Sequence, residues 1–133
     1  MQLPITAMTA AALALLLLAL AIQTVRKRLQ LKAAFGDAND RSLIAATRSH
    51  GNLAEHAPIV LIMLGLVEGS GANSDVLMGL AGAFVAGRVA HVIGLHQETP
   101  PGKAPLARQI GVIVTWFTLV ALAGMILLRI SGV

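Results

Sequence analysis

Residues 4–25 read PITAMTAAALALLLLALAIQTV, and Arg26-Lys27-Arg28 follow at once. No charged side chain interrupts the run. An α-helix rises about 1.5 Å per residue, so roughly 20 apolar residues cross the hydrocarbon core of a bilayer. Ala and Leu dominate here, and both favour helix. The stretch is expected to be a transmembrane helix. A cleaved secretory leader is the competing reading, because Ala19-Leu20-Ala21 resembles a cleavage site. The charge order opposes it: a leader carries its basic residues before the apolar core, and here they come after.

Three further runs follow, over 42–68, 75–95 and 106–130. Gly69-Ser70-Gly71 with Asn73 separates the second from the third, and Pro100-Pro101-Gly102 with Pro105 separates the third from the fourth. The front half of the second run, Thr47 to His56, is polar and must face protein or the interface, not lipid. Of 133 residues, 56% are hydrophobic and 12% charged. Mean hydropathy is +0.80. A soluble domain of this length needs more polar surface. The expectation is one all-α domain over 1–133, an integral membrane four-helix bundle. The absence of cysteine excludes disulfides, thiolate metal sites and a cysteine nucleophile. The net charge of +4 does not point to nucleic acid, because the basic residues punctuate apolar runs and form no stripe.

The first connection and its flanks carry Arg26, Lys27, Arg28, Lys32 and Arg41. The third carries Lys103, with Arg108 just inside the last run. The second carries no basic residue and lies between Glu68 and Asp75. The positive-inside rule then places loops one and three in the cytoplasm and both termini opposite. Gly36-Asp37-Ala38-Asn39-Asp40 reads as a turn in loop one. On the third helix Gly79, Ala83, Gly87, Ala90 and Gly94 share a face, a stripe that lets helix backbones approach closely. Spacing leaves open whether the neighbour is this chain or another copy.

Ionisable residues within a bilayer need partners. RSHGNLAEHAP, residues 48–58, places Arg48, Asn52 and Glu55 on one helical face, with His56 at its edge. Mutual neutralisation is one reading of this set. The other is a zwitterion site, since Arg forks onto a carboxylate and Glu pairs with an ammonium. GRVAHVIGL, residues 87–95, adds Arg88 and His91 beside the small stripe. Arg88 would either bridge to Glu55 or present a second cation to the same ligand. Arg108 opens the last helix as a topology anchor, or as a cation stabilising a bound thiolate. A free thiol has a pKa of roughly 8.5, and a cation within ~4–6 Å lowers it. Arg28 is placed to reach a site at that interface. The spacings of His50, His56, His91 and His96 suggest no metal site. Trp116, well inside the last run, is expected in packing, and Arg129 is expected to snorkel at the far interface.

Three blocks resemble the MAPEG family, the membrane-associated proteins of eicosanoid and glutathione metabolism. They are Arg48-x-x-x-Asn52-x-x-Glu55 with His56-Ala57-Pro58, then Gly87-Arg88-x-x-His91 with Gly94-Leu95, and finally Arg108-x-x-Gly111. The likeness covers essentially the whole chain and is strongest to short bacterial members. It implies a homotrimer in a bacterial inner membrane, with glutathione bound between subunits near the cytoplasmic face as co-substrate. Arg48, Asn52 and Glu55 would hold the peptide, with Arg88, His56, His91 and Arg28 around it, and Arg108 would activate the thiol. The partners implied are glutathione, a lipophilic small molecule, the bilayer and further copies of the chain. One departure stands out: the chain has no tyrosine, and His56 and His91 stand where family members carry Tyr. Imidazole replaces the hydrogen bond of a phenol but titrates near neutral pH.

Two classes of function follow. One is a membrane glutathione transferase, with peroxidase activity as an extension, acting on lipophilic electrophiles. The other is a non-enzymatic membrane protein of the same fold that binds lipid or a protein partner, its charges serving as structural glue. A transporter fits less well, because no inverted repeat or broken helix marks a pathway.

Overall fold

The structure is a computed structural model that describes residues 2–100 and 102–132. Four α-helices follow one another: α1 (Pro4–Leu31), α2 (Arg41–Gly69), α3 (Ser74–His96) and α4 (Leu106–Ile130). All four are long and apolar enough to cross a membrane. Pro101 of the expected third break lies outside the described residues. Gly102, at φ 79°, and Pro105, the N-cap of α4, mark that break. The expected spans agree with the helices except that α1 continues from Val25 to Leu31. Its extension, RKRLQL, consists of good helix formers, so the helix outlasts its apolar run. It stops where Lys32 turns left-handed at φ 52° and its N–H meets Leu29 O at 3.3 Å.

Loop one is the turn the sequence indicated. Ala38 and Asn39 both take positive φ, and Asp37 Oδ1 accepts from Asn39 N–H at 3.0 Å. Asp40 then caps α2, accepting from Leu43 N–H at 2.9 Å. Its carboxyl is held below its ordinary value near 3.8, first by the Ser42 hydroxyl and then by the Leu43 amide. Asn73 caps α3 in the same manner, accepting from the amides of Asp75 and Val76.

Helices α2 and α3 form the middle of the bundle. Each touches the other and both flanking helices, whereas α1 and α4 make no contact among the described residues. The pattern follows from the burial stripes. On α2, Leu53, Ala57, Val60, Leu64 and Val67 recur at alternating steps of four and three and are all buried. That repeat keeps one face turned inward over the length of a helix pair. The stripe meets Leu13 and Leu20 of α1, Leu77, Leu80 and Phe84 of α3, and Leu122 of α4. Helix α1 is thereby packed as a full member of the bundle. The outer faces carry Leu15, Leu18, Ile113, Phe117 and Val120, all exposed, as a lipid-facing surface requires.

Trp116 departs from the expectation of packing: it is 63% exposed. The buried residues of α4 are Gly111, Thr115, Thr118 and Leu122, and Trp116 lies off that narrow stripe. The small stripe of α3 is divided. A Cβ at Gly87 would lie 2.9 Å from Val114, and one at Gly94 would meet the Arg108 backbone, so this half admits α4. Gly79 has nothing within reach of an added Cβ, and Ala83 is exposed.

The end of the bundle that holds the α2–α3 turn is fastened by side chains. Both Glu68 oxygens accept from the start of α1: Ile5 N–H and Thr6 N–H at 2.8 Å each, and the Thr6 hydroxyl at 2.6 Å. Pro4 and Leu3 offer α1 no side-chain cap, so a carboxylate from another helix serves instead. Arg129 is exposed at this end, where the sequence placed it at the far interface. It turns back and donates to Ser70 O at 2.6 Å.

Candidate functional site

The polar residues gather at the opposite end, where loops one and three emerge. Arg88 anchors the group. It is 2% exposed on α3, and its guanidinium is shared among three neutral acceptors. Nη1 donates to Asn52 Oδ1 on α2, and Nη2 donates to Thr115 Oγ1 and, at 2.7 Å, to Gly111 O on α4. The Phe84 ring lies 5.7 Å from its carbon centre, close enough for a cation–π contact. Nε has no partner. The bridge to Glu55, one of the two readings of Arg88, is not formed. Glu55 is exposed on the surface of α2, and an amide one turn earlier takes its place.

Glycines make this arrangement possible. A Cβ on Gly111 would fall 2.7 Å from the His91 Cβ and 2.9 Å from its amide, so only glycine lets α4 approach α3 here. The same approach exposes Gly111 O to Arg88 and buries His91, whose Nδ1 has no partner. His56 Nδ1 donates to Asn52 O at 2.8 Å, which in the neutral ring leaves Nε2 as an acceptor. Asn52, His56, Arg88, Thr115 and Trp116 border a hollow of about 210 Å³ between α2 and α4.

A second hollow, of about 190 Å³, opens towards the loops. Arg41, Arg48, Lys103 and Arg108 line it with Gly94, Thr99 and neutral neighbours, and no carboxylate is among the lining residues. Arg41 is fixed by donating to Gln97 O at 2.6 Å. Arg48 and Arg108 are exposed residues that border it.

The structure thus brings the predicted residues together in two layers. Arg48 and Arg108 share the basic cleft, while Asn52, His56 and Arg88 share the neighbouring hollow, with His91 buried behind. Glu55 borders neither of these two hollows. Arg28 folds onto its own loop, with Nη1 donating to Gly36 O at 3.1 Å and more weakly to Ala33 and Ala34. Sequence reasoning treated Arg41 and Lys103 only as topology signals, and their convergence on Arg48 and Arg108 comes from the fold. It also missed Thr115. The only signal for that residue was its place four residues after Gly111, on the same face of α4.

Four apolar spans enclosing a buried arginine beneath a basic cleft define a polytopic membrane protein with a polar site near one membrane surface. The sequence profile of the MAPEG family matches residues 6–128, and the chain belongs to that family. Its curated relatives include "Inner membrane protein YecN" of Escherichia coli strain K12, 33% identical over 94 residues, which is 71% of this chain and 72% of the relative. The protein of the same name from Escherichia coli O6:H1 matches to the same extent. No solved structure matches the chain.

Proposed function

We propose that this protein is a glutathione-dependent transferase of the bacterial inner membrane that acts on lipophilic electrophiles. The observation that carries the reading is the cleft lined by Arg41, Arg48, Lys103 and Arg108 without an opposing carboxylate. Uncompensated cations at the edge of a low-dielectric medium favour an anionic ligand, and glutathione has two carboxylates. Arg48 and its basic neighbours would receive them. Arg108 would hold the sulfur as thiolate, the reactive form. Asn52 would offer its amide, kept in place by Arg88 and flanked by His56 and His91. The electrophile would approach from lipid beside Trp116, so that positioning and a lowered thiol pKa carry the reaction.

The ammonium of glutathione would fall to Glu55, whose exposure in the single chain supports a homotrimer with the site between subunits. The open half of the α3 stripe, Gly79 and Ala83, supports the same assembly.

One observation favours the non-enzymatic alternative. Asn52 and Arg88, both expected to hold ligand, are bonded to each other and tie α2, α3 and α4 together. A glutathione titration of detergent-purified protein separates the readings. A saturable rise in ultraviolet thiolate absorbance near neutral pH is expected. Absence of both the rise and glutathione binding would end the transferase reading and leave the structural one.

A further inference from the structure

At the end of the bundle away from the basic cleft, α2 and α4 diverge around an apolar hollow of about 290 Å³. Leu66, Val67, Ile126 and Ile130 form its walls, and Ser70 and Arg129 stand at its mouth. Among the lysines and arginines, Arg129 is the one at this end: every other lies in or near loops one and three, or is Arg88 in the interior. Arg129 reaches back to the α2–α3 turn, where one Nη1 proton is fixed on Ser70 O at 2.6 Å. A guanidinium has five donors, so most of the fork has no partner among the described residues, and Arg129 lines the hollow. Of the carboxylates flanking the α2–α3 turn, Glu68 is engaged by the start of α1, and Asp75 lies in the first turn of α3 and does not line the hollow.

We propose that this hollow is a binding site for one phospholipid of the adjoining leaflet. Its anionic phosphate sits on the Arg129 fork, and a stretch of one acyl chain fills the groove between α2 and α4. The charge selects the occupant. An apolar groove alone accepts any hydrocarbon, but a fixed cation at its mouth, where headgroups lie, selects a chain that ends in an anion. The lipid then acts as a wedge that joins the last turns of α2 and α4 through Ser70 and Arg129. This site is separate from the basic cleft and does not depend on the transferase reading.

The test is thermal unfolding of the full chain in a neutral detergent, with phosphatidylglycerol or phosphatidylcholine added at equal mole fractions. Phosphatidylglycerol is expected to raise the midpoint saturably, by about 3 °C, as a ligand of the native state does. Phosphatidylcholine should do less. Arg129→Gln keeps a donor for Ser70 O but removes the charge, and should abolish the difference between the two lipids. Leu66→Trp, which fills the groove from an exposed position, should abolish it with Arg129 intact. Three results would overturn the proposal. The increment could survive in both variants. It could instead vanish on Arg26→Gln/Lys27→Gln, which would place the lipid at the other end. Inorganic phosphate alone could reproduce it independently of Leu66, so that no acyl chain is involved.

Discussion

The two ends of this bundle use charge in opposite ways. At the α2–α3 end, Glu68 receives three donors from the start of α1, and Arg129 commits one Nη1 proton to Ser70 O. At the loop end, Arg48, Lys103 and Arg108 surround a hollow with no carboxylate in its lining. Between them Arg88 shows the intermediate case, a buried cation distributed over neutral acceptors. In a membrane protein of low charge content, a charge whose bonding groups are taken up within the chain reads as structure, and charges left with free donors beside a cavity read as a place for a ligand.

The largest expected effect comes from the contact that forms the loop end. Gly94→Ala places a methyl group against the Arg108 backbone, which cannot yield as a flexible side chain would. We expect a loss of about 3 kcal/mol or failure to fold, read as the unfolding midpoint in detergent. Wild-type stability in this variant would mean that α3 and α4 are free to separate there, and the cleft would lose its rigid wall.

Glu68→Ala strikes the other end. Removing the shared acceptor leaves two amides and a hydroxyl without their partner, with an expected loss of about 2 kcal/mol. Glutathione affinity should be unchanged. Arg108→Ala should show the converse. Its unfolding midpoint should stay within a degree or two of wild type, while the thiolate signal at neutral pH falls about tenfold, the effect of withdrawing one nearby cation. If each variant altered both properties, the division between a structural end and a functional end would fail.

The smallest effect tests a charge that belongs to structure at the functional end. The folded-state pKa of Asp40 is lowered, so its contribution is complete above its ordinary value near 3.8 and is lost as pH falls through the lower folded value. The unfolding midpoint should therefore drop below about pH 4, and Asp40→Asn should flatten that drop. An identical acid profile in the variant would remove Asp40 from the account.

The helices were legible because a bilayer imposes one simple demand, a run of apolar residues long enough to cross it. Composition and punctuation met that demand at 4–25, 42–68, 75–95 and 106–130, and only the tail of α1 went further. Turns and breaks were legible for a similar reason, since Asp40, Asn73, Gly71 and Gly102 act through their own neighbours in the chain, although the capping by Asp40 and Asn73 came from the structure. The blocks around Arg48, Arg88 and Arg108 also stood out, because a charge in an apolar helix is visible without any knowledge of its partner.

Partnership was the part that spacing could not supply. Periodicity places Arg88 and Glu55 on suitable faces, but not at the same height or rotation. The bridge drawn between them was therefore replaced by bonds to Asn52, Thr115 and Gly111 O. Trp116 is exposed because α4 is an outer helix touching only α2 and α3, a fact of assembly order. Glu68 looked like a loop flank and became the cap of α1, sixty-two residues earlier in the chain. Sequence by itself determined which segments leave water, because that depends on local composition. The tertiary structure alone decided which charges are neutralised, because that depends on the distance and angle between helices that the chain brings together from afar.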